Sequence, residues 1–313
     1  MMDPVVPAVA SGAMEDVLAT RLAAEERAYA GSGPVLQYLL HNGLGTIFDD
    51  EILARVRGML ADCARQLAAA LIGPDRASHH GEATVDALIA GLAEQPAVLE
   101  HLHALALEWR LAVRLRESAA LDPALSPLIQ EQIGAANPSV STLAVNLMAA
   151  QARFCQQQRR MQLPLMELPG DVLNRAIRVM QAAAREADAD AVQAERIVRT
   201  GLDEKRSRLA LLRRSVAALG EHAGVSLVLA HAGAALFVTA LALGAGCSRE
   251  AAVFATVEGH ETRLLLGLIA CGLEESAIAA QFLAVHPGGT VPEGLGLVAP
   301  ERAAALLSGY ERS

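Results

Sequence analysis

Apolar residues along this chain recur every three to four positions, and no run of strict alternation lies between Gly/Asn turns. The clearest case is 49–72, where Ile52, Leu53, Val56, Leu60, Cys63, Leu67 and Leu71 fall on one helical face. Asp50 and Glu51 open that stretch, as the positive end of a helix favours, and Gly73-Pro74 closes it. A polar loop through Ser78, His79, His80 and Gly81 leads to helices over 83–93 and 96–118, the second carrying the single Trp109. Asp122-Pro123, Ser126-Pro127 and Asn137-Pro138 each set a capping side chain before a proline suited to the first helical turn. The helix over 140–161 is apolar as far as Phe154 and then turns polar through Gln156, Gln157, Gln158, Arg159 and Arg160.

Pro164 and Pro169-Gly170 mark the best boundary. Beyond it the pattern predicts helices over 171–186, 188–201 and 202–219, then four short ones over 225–243, 248–257, 261–271 and 274–285, and a last over 300–310. Gly244, Gly246, Gly259 and Gly272 fall at the joints, where helix ends favour them. Residues 248–254 and 275–282 resemble each other, both opening polar and closing on a Phe. The expectation is an all-α fold, a multi-helical bundle or a short α-solenoid of stacked helix pairs. It comprises a disordered 1–12, an N-terminal helical region 13–163 and a C-terminal repeat-like region 164–313. Within the first, Gly31-Ser32-Gly33-Pro34 is expected to separate one helix from a short Leu-rich segment ending at Asn42-Gly43.

The segment 225–247 has no Asp, Glu, Lys or Arg and is long enough to span a bilayer, which takes about 20 apolar residues. Against spanning stand His231 near its middle, glycines at 233, 244 and 246, a hydrophobicity diluted by alanine, and no Trp or Tyr at either end. A buried central helix broken near Gly233 accounts for it better; a membrane-attached sensor is the alternative.

Composition narrows the function. Hydrophobic residues make up 53% of the 313, but aromatics only 3%, so much of the apolar surface is alanine, which packs helices closely without filling much volume. A formal charge of -9 argues against nucleic-acid binding, which needs clustered cations over one face. Cys63, Cys155, Cys247 and Cys271 are scattered without a CxxC pair and are expected as reduced core thiols. Residues 1–15 lack the basic and apolar regions of an export signal, so a cytoplasmic location is expected.

The succession 234–243 (Ala-Ala-Leu-Phe-Val-Thr-Ala-Leu-Ala-Leu), Ser248-Arg249-Glu250-Ala251-Ala252-Val253 and 262–273 (Thr-Arg-Leu-Leu-Leu-Gly-Leu-Ile-Ala-Cys-Gly-Leu) resembles the C-terminal part of the bacterial DUF2336 proteins. The likeness covers about a quarter to a third of the chain. It implies a helical-repeat-like fold in a bacterial cytoplasmic setting and carries over no catalytic residue.

Candidate chemistry is sparse. His79, His80, Glu82 and His101 form the densest grouping with metal-ligand types, which a metal-dependent hydrolase would use. His101 and His103 sit two apart on a helix and face away from each other, so they do not hold one ion together. Glu258, His260, Glu261 and Arg263 are the most compact polar group of the apolar half and a candidate pocket, with Arg263 expected to pair with Glu258 or Glu261. Arg159 and Arg160, and Arg206 with Arg213 on one face of the 202–219 helix, are candidates for docking an acidic protein partner or for self-association. Lys205, the single lysine, has no phosphate-cradling glycine loop around it. A non-enzymatic interaction or regulatory module, without cofactor or metal, is the expected class.

Overall fold

A computed structural model describes residues 8–310 apart from 43–49, 76, 78–80, 187–188 and 201–202. Among the described residues the chain contains helices, turns and loops and no strand, so the protein is all-α. Two compact units divide it, and each draws on sequence from both sides of Pro164. One comprises Met1–Gly31, Arg110–Ala144 and Leu212–Ser313, the other Ser32–Trp109 and Val145–Leu211.

Helix α1 is Ala8–Asn42. It begins inside the stretch expected to be disordered, where Ala8, Ala10 and Ala13 favour helix; residues 1–7 lie outside the described residues. It also continues through Gly31-Ser32-Gly33-Pro34, contrary to expectation. Pro34 removes one main-chain hydrogen bond and favours a kink there; Leu22 before the step and Leu36 after it are each buried.

The second unit is built around α2 (Asp50–Ile72), which packs on α3 (Glu82–Ala93), α7 (Gly170–Glu186) and α8 (Ala191–Arg199). Its apolar stripe is the one the sequence predicts, with Val56 and Leu67 fully buried, and Met59 joins it. The first half of α4 (Pro96–Ala119) and most of α6 (Pro138–Arg159) complete this unit. Gly58 on α2 faces Met161, and a Cβ built at 58 would stand 2.5 Å from the Met161 Cβ and 3.0 Å from its carbonyl oxygen. Gly58→Ala is therefore expected to lower stability by about 1–3 kcal/mol, because part of the obstacle is backbone. Urea unfolding followed by Trp109 fluorescence checks this, and an unchanged midpoint would contradict it.

In the first unit, α10 (Leu229–Ala245) is central and contacts α5 (Pro127–Ile133), α12 (Glu261–Ala270) and α13 (Glu275–Val285), while α12 also packs on α14 (Pro300–Tyr310). Ser126 caps α5, its hydroxyl accepting from the Ile129 N–H at 3.4 Å, and Ser248 likewise caps α11 (Arg249–Phe254). The break expected in α10 occurs at Gly233, with φ 72° and ψ 169°. Only glycine adopts that region readily, and a Cβ there would also lie 3.1 Å from Ser126 Cβ. Among the described residues no single helix is long and apolar enough to cross a membrane. The 3-10 segment Gly220–Leu227 and α10 reach that length and composition only together, and they are bent by 109°.

The helix expected over 202–219 is interrupted. A 3-10 turn, Glu204–Arg206, precedes α9 (Arg208–Ala217). The Ser207 hydroxyl accepts from the Ala210 N–H at 3.3 Å and the Glu167 carboxylate from the Arg208 N–H at 3.0 Å, so a new helix is capped at this point. Arg206 and Arg213 therefore do not share one helical face.

Candidate functional site

The end of α6 and the residue after it carry exposed polar side chains, among them Gln156, Arg159 and Arg160. Met161 takes the left-handed conformation there (φ 54°), and the Gln162 N–H donates back to the Gln157 carbonyl at 2.9 Å, which closes the helix and turns the chain. Helix α2 holds the outgoing turn. Asp62 accepts from the Leu163 N–H at 3.0 Å, and the Gln66 amide bonds both the Leu163 carbonyl (2.9 Å) and the Leu165 N–H (3.0 Å).

Between this turn and α6 lies a groove of about 410 Å³ lined by Asp62, Gln66, Arg153, Gln156, Gln157 and Arg160, with Gln162 at its end. Arg153 also lines an adjoining groove of about 310 Å³ with Met166, Glu167, Asp203 and Arg206. Arg153, Arg160 and Arg206 are exposed, as is Met166 at 55%. Among the described residues, the side chains of these three arginines and of Gln156, Gln157 and Gln162 make no hydrogen bond or ion pair. Arg159 is exposed on the last turn of α6, and Arg213 is exposed on α9. Two of the four arginines singled out from sequence, Arg160 and Arg206, thus line adjoining grooves, joined by Arg153, which periodicity did not single out.

The second unit also holds a buried ion pair that sequence reasoning missed. The Arg208 guanidinium bonds both Glu108 carboxylate oxygens at 2.8 and 2.9 Å and the Gln151 side-chain oxygen at 3.0 Å, and sits 3.8 Å over the Phe154 ring. Arg208 and Glu108 are 3% and 1% exposed. The available signal was Glu108 itself, an acid amid Leu105, Ala106, Leu107 and Trp109, where burial without a partner is costly.

In the first unit, the group Glu258, His260, Glu261 and Arg263 meets α1. Arg263 pairs with Glu26 on α1, a partner that the sequence reading did not name. Glu25 caps α12 in place of a local side chain, accepting from the Thr262 and Arg263 N–H groups at 2.8 and 3.0 Å. Tyr29 stacks edge-on against Phe254, and Phe254 against His260. Phe282 also lies against a histidine, His286, but tilted at 49° where Phe254 meets His260 edge-on at 89°.

Burial pushes the His260 and His286 imidazoles below their ordinary value of 6.5. Glu25 and Glu261 oppose this at His260. At His286 the carboxylates of Glu261 and Glu258 oppose it, while Arg114 adds to it. A histidine depressed on folding binds its proton in the unfolded chain first, so stability is retained above pH 6.5 and falls as pH drops from there towards the folded values. Urea midpoints between pH 7.5 and 5.5 should decline in the native sequence, and the decline should flatten in His260→Gln/His286→Gln. An equal slope in both proteins would assign the loss to other groups.

His79 and His80 lie outside the described residues; Glu82 is exposed at the start of α3, and His101 is buried on α4. Among the described residues, no group of three or more His, Cys, Asp or Glu is arranged to hold a metal ion. None of the four cysteines is in a disulfide, with Cys63 and Cys155 buried and Cys247 and Cys271 half-buried. Burial, aided by Asp62, pushes the Cys63 thiol up to about 12, and burial does the same at Cys271, so neither is a nucleophile near neutral pH. Comparison with known proteins finds no matching family model, no matching curated protein and no matching solved structure.

Proposed function

We propose that the chain is a non-enzymatic helical docking module that binds an acidic protein partner through the arginine-lined face of its second unit. The observation that carries this reading is the set of three exposed, uncommitted guanidinium groups, Arg153, Arg160 and Arg206, around two grooves that share Arg153. In a chain of net charge -9, such a set attracts anions locally, and guanidinium forks suit carboxylates in two-point contacts. Exposed Met166 beside them adds an adaptable apolar contact. The DUF2336 likeness of 234–273, with the bacterial cytoplasmic setting it implies, belongs to the same proposal.

The test is affinity capture from bacterial cytosol with the native sequence and with Arg153→Glu/Arg160→Glu/Arg206→Glu, both verified as folded by circular dichroism. A specific acidic partner retained by the first and lost by the second is the expected result. A partner held equally by both overturns this assignment of the face.

A further inference from the structure

We infer that the larger groove takes an extended acidic segment of the partner, with Arg153 and Arg160 reading two carboxylates three residues apart while Gln156, Gln157 and Gln162 pair with its main chain. This rests on the docking reading above and adds what is docked and in which conformation.

Arg153 lies on α6, and Arg160, seven residues on, directly follows its last residue with its N–H still donating to the Gln156 and Gln157 carbonyls, so helical spacing sets the two on nearly the same side about 10 Å apart along the axis. An extended segment of polyproline II form rises about 3.1 Å per residue and returns to the same side every third, placing the side chains of residues i and i+3 about 9 Å apart. A flat strand repeats on one face at about 7 and 13 Å, which fits the arginine spacing less well.

The glutamines decide between an extended and a helical occupant. A side-chain amide offers two donors and an acceptor, the complement of a peptide group. A helix bonds its own main chain internally and would leave the three amides facing side chains, whereas an extended segment presents free N–H and C=O groups to them. The one carboxylate in the groove does not compete for the arginines. Asp62 accepts from the Leu163 N–H and from Gln66, and lies 3.7 Å from Arg65.

The measurement is fluorescence anisotropy of the full chain with two fluorescein-labelled peptides of Gly, Ser, Ala and two Glu, identical in composition. In one the glutamates are three residues apart, in the other adjacent. The spaced peptide is expected to bind roughly tenfold more tightly. Arg153→Gln and Arg160→Gln should each bring it down to the adjacent peptide's level, Gln157→Ala should weaken both peptides by a similar factor, and Arg213→Gln should change neither. Equal binding of the two peptides, lost in the arginine variants, overturns the extended-segment inference and leaves the docking face standing. Binding that survives both arginine variants overturns the inference and the docking face together. Absence of binding to either peptide overturns the inference alone, and the capture experiment then decides the docking reading on its own terms.

Discussion

Glu108→Ala is expected to cost about 3–5 kcal/mol, the largest loss from any single polar substitution here, because it leaves the Arg208 guanidinium charged, buried and without its two-point partner. The Gln151 oxygen and the Phe154 ring remain beside it, but neither carries the compensating charge. A cavity of about 10 Å³ already adjoins Arg208, lined in part by Phe154, Gln157 and Glu167, with room for about one water, so solvent replaces little of the lost carboxylate. The companion expectation is a far smaller effect. Glu108→Leu with Arg208→Met removes both charges, and its cost should be far below the sum of the single substitutions, close to neutral. Urea unfolding monitored through Trp109, adjacent to Glu108 and itself buried, reads the cycle. A loss under about 1 kcal/mol for Glu108→Ala would mean that the pair is hydrated, contrary to its burial.

Phe237→Ala is the second, also at about 3–5 kcal/mol, through loss of a large buried ring and the cavity left behind. Phe237 is 0% exposed on α10, the helix that α5, α12 and α13 surround. Leu243, on the same helix but 46% exposed, provides the control, since Leu243→Ala should change stability by no more than about 0.5 kcal/mol. The contrast also tests the reading of 225–247 as a core element. If thermal unfolding without detergent shows the two substitutions to be equivalent, α10 is not packed as a core helix.

Much of the architecture was legible because helical periodicity and helix-end chemistry are local. The stripe on α2, the glycine joints between α10 and α13 and the Ser126 cap depend on residues within a turn of one another. The readings that failed did so where a distant segment intervened. Leucine and alanine spacing supports one helix over 202–219, but Glu167, some forty residues earlier, accepts the Arg208 N–H and a new helix begins. Glycine and proline at 31–34 read as a separator, yet helix α1 runs through them.

The candidate site divides in the same way. Arg160 and Arg206 were visible as cations in polar stretches, whereas Arg153 stood one residue before Phe154 in an apolar run and gave no periodic signal. Its role follows from the α2 side chains Asp62 and Gln66, which bring the 161–165 turn alongside α6 and create the groove. Arg263 shows the limit most plainly, since its partner Glu26 lies far away in sequence on α1.

By itself, the sequence determined the all-α class, the positions of most helices, the break at Gly233 and the acidic balance, since each depends on local backbone preference or on composition. Tertiary structure alone decided which charges are buried in pairs and which line grooves, because desolvation and ion pairing depend on what distant segments bring within a few ångströms, and spacing along the chain does not encode that.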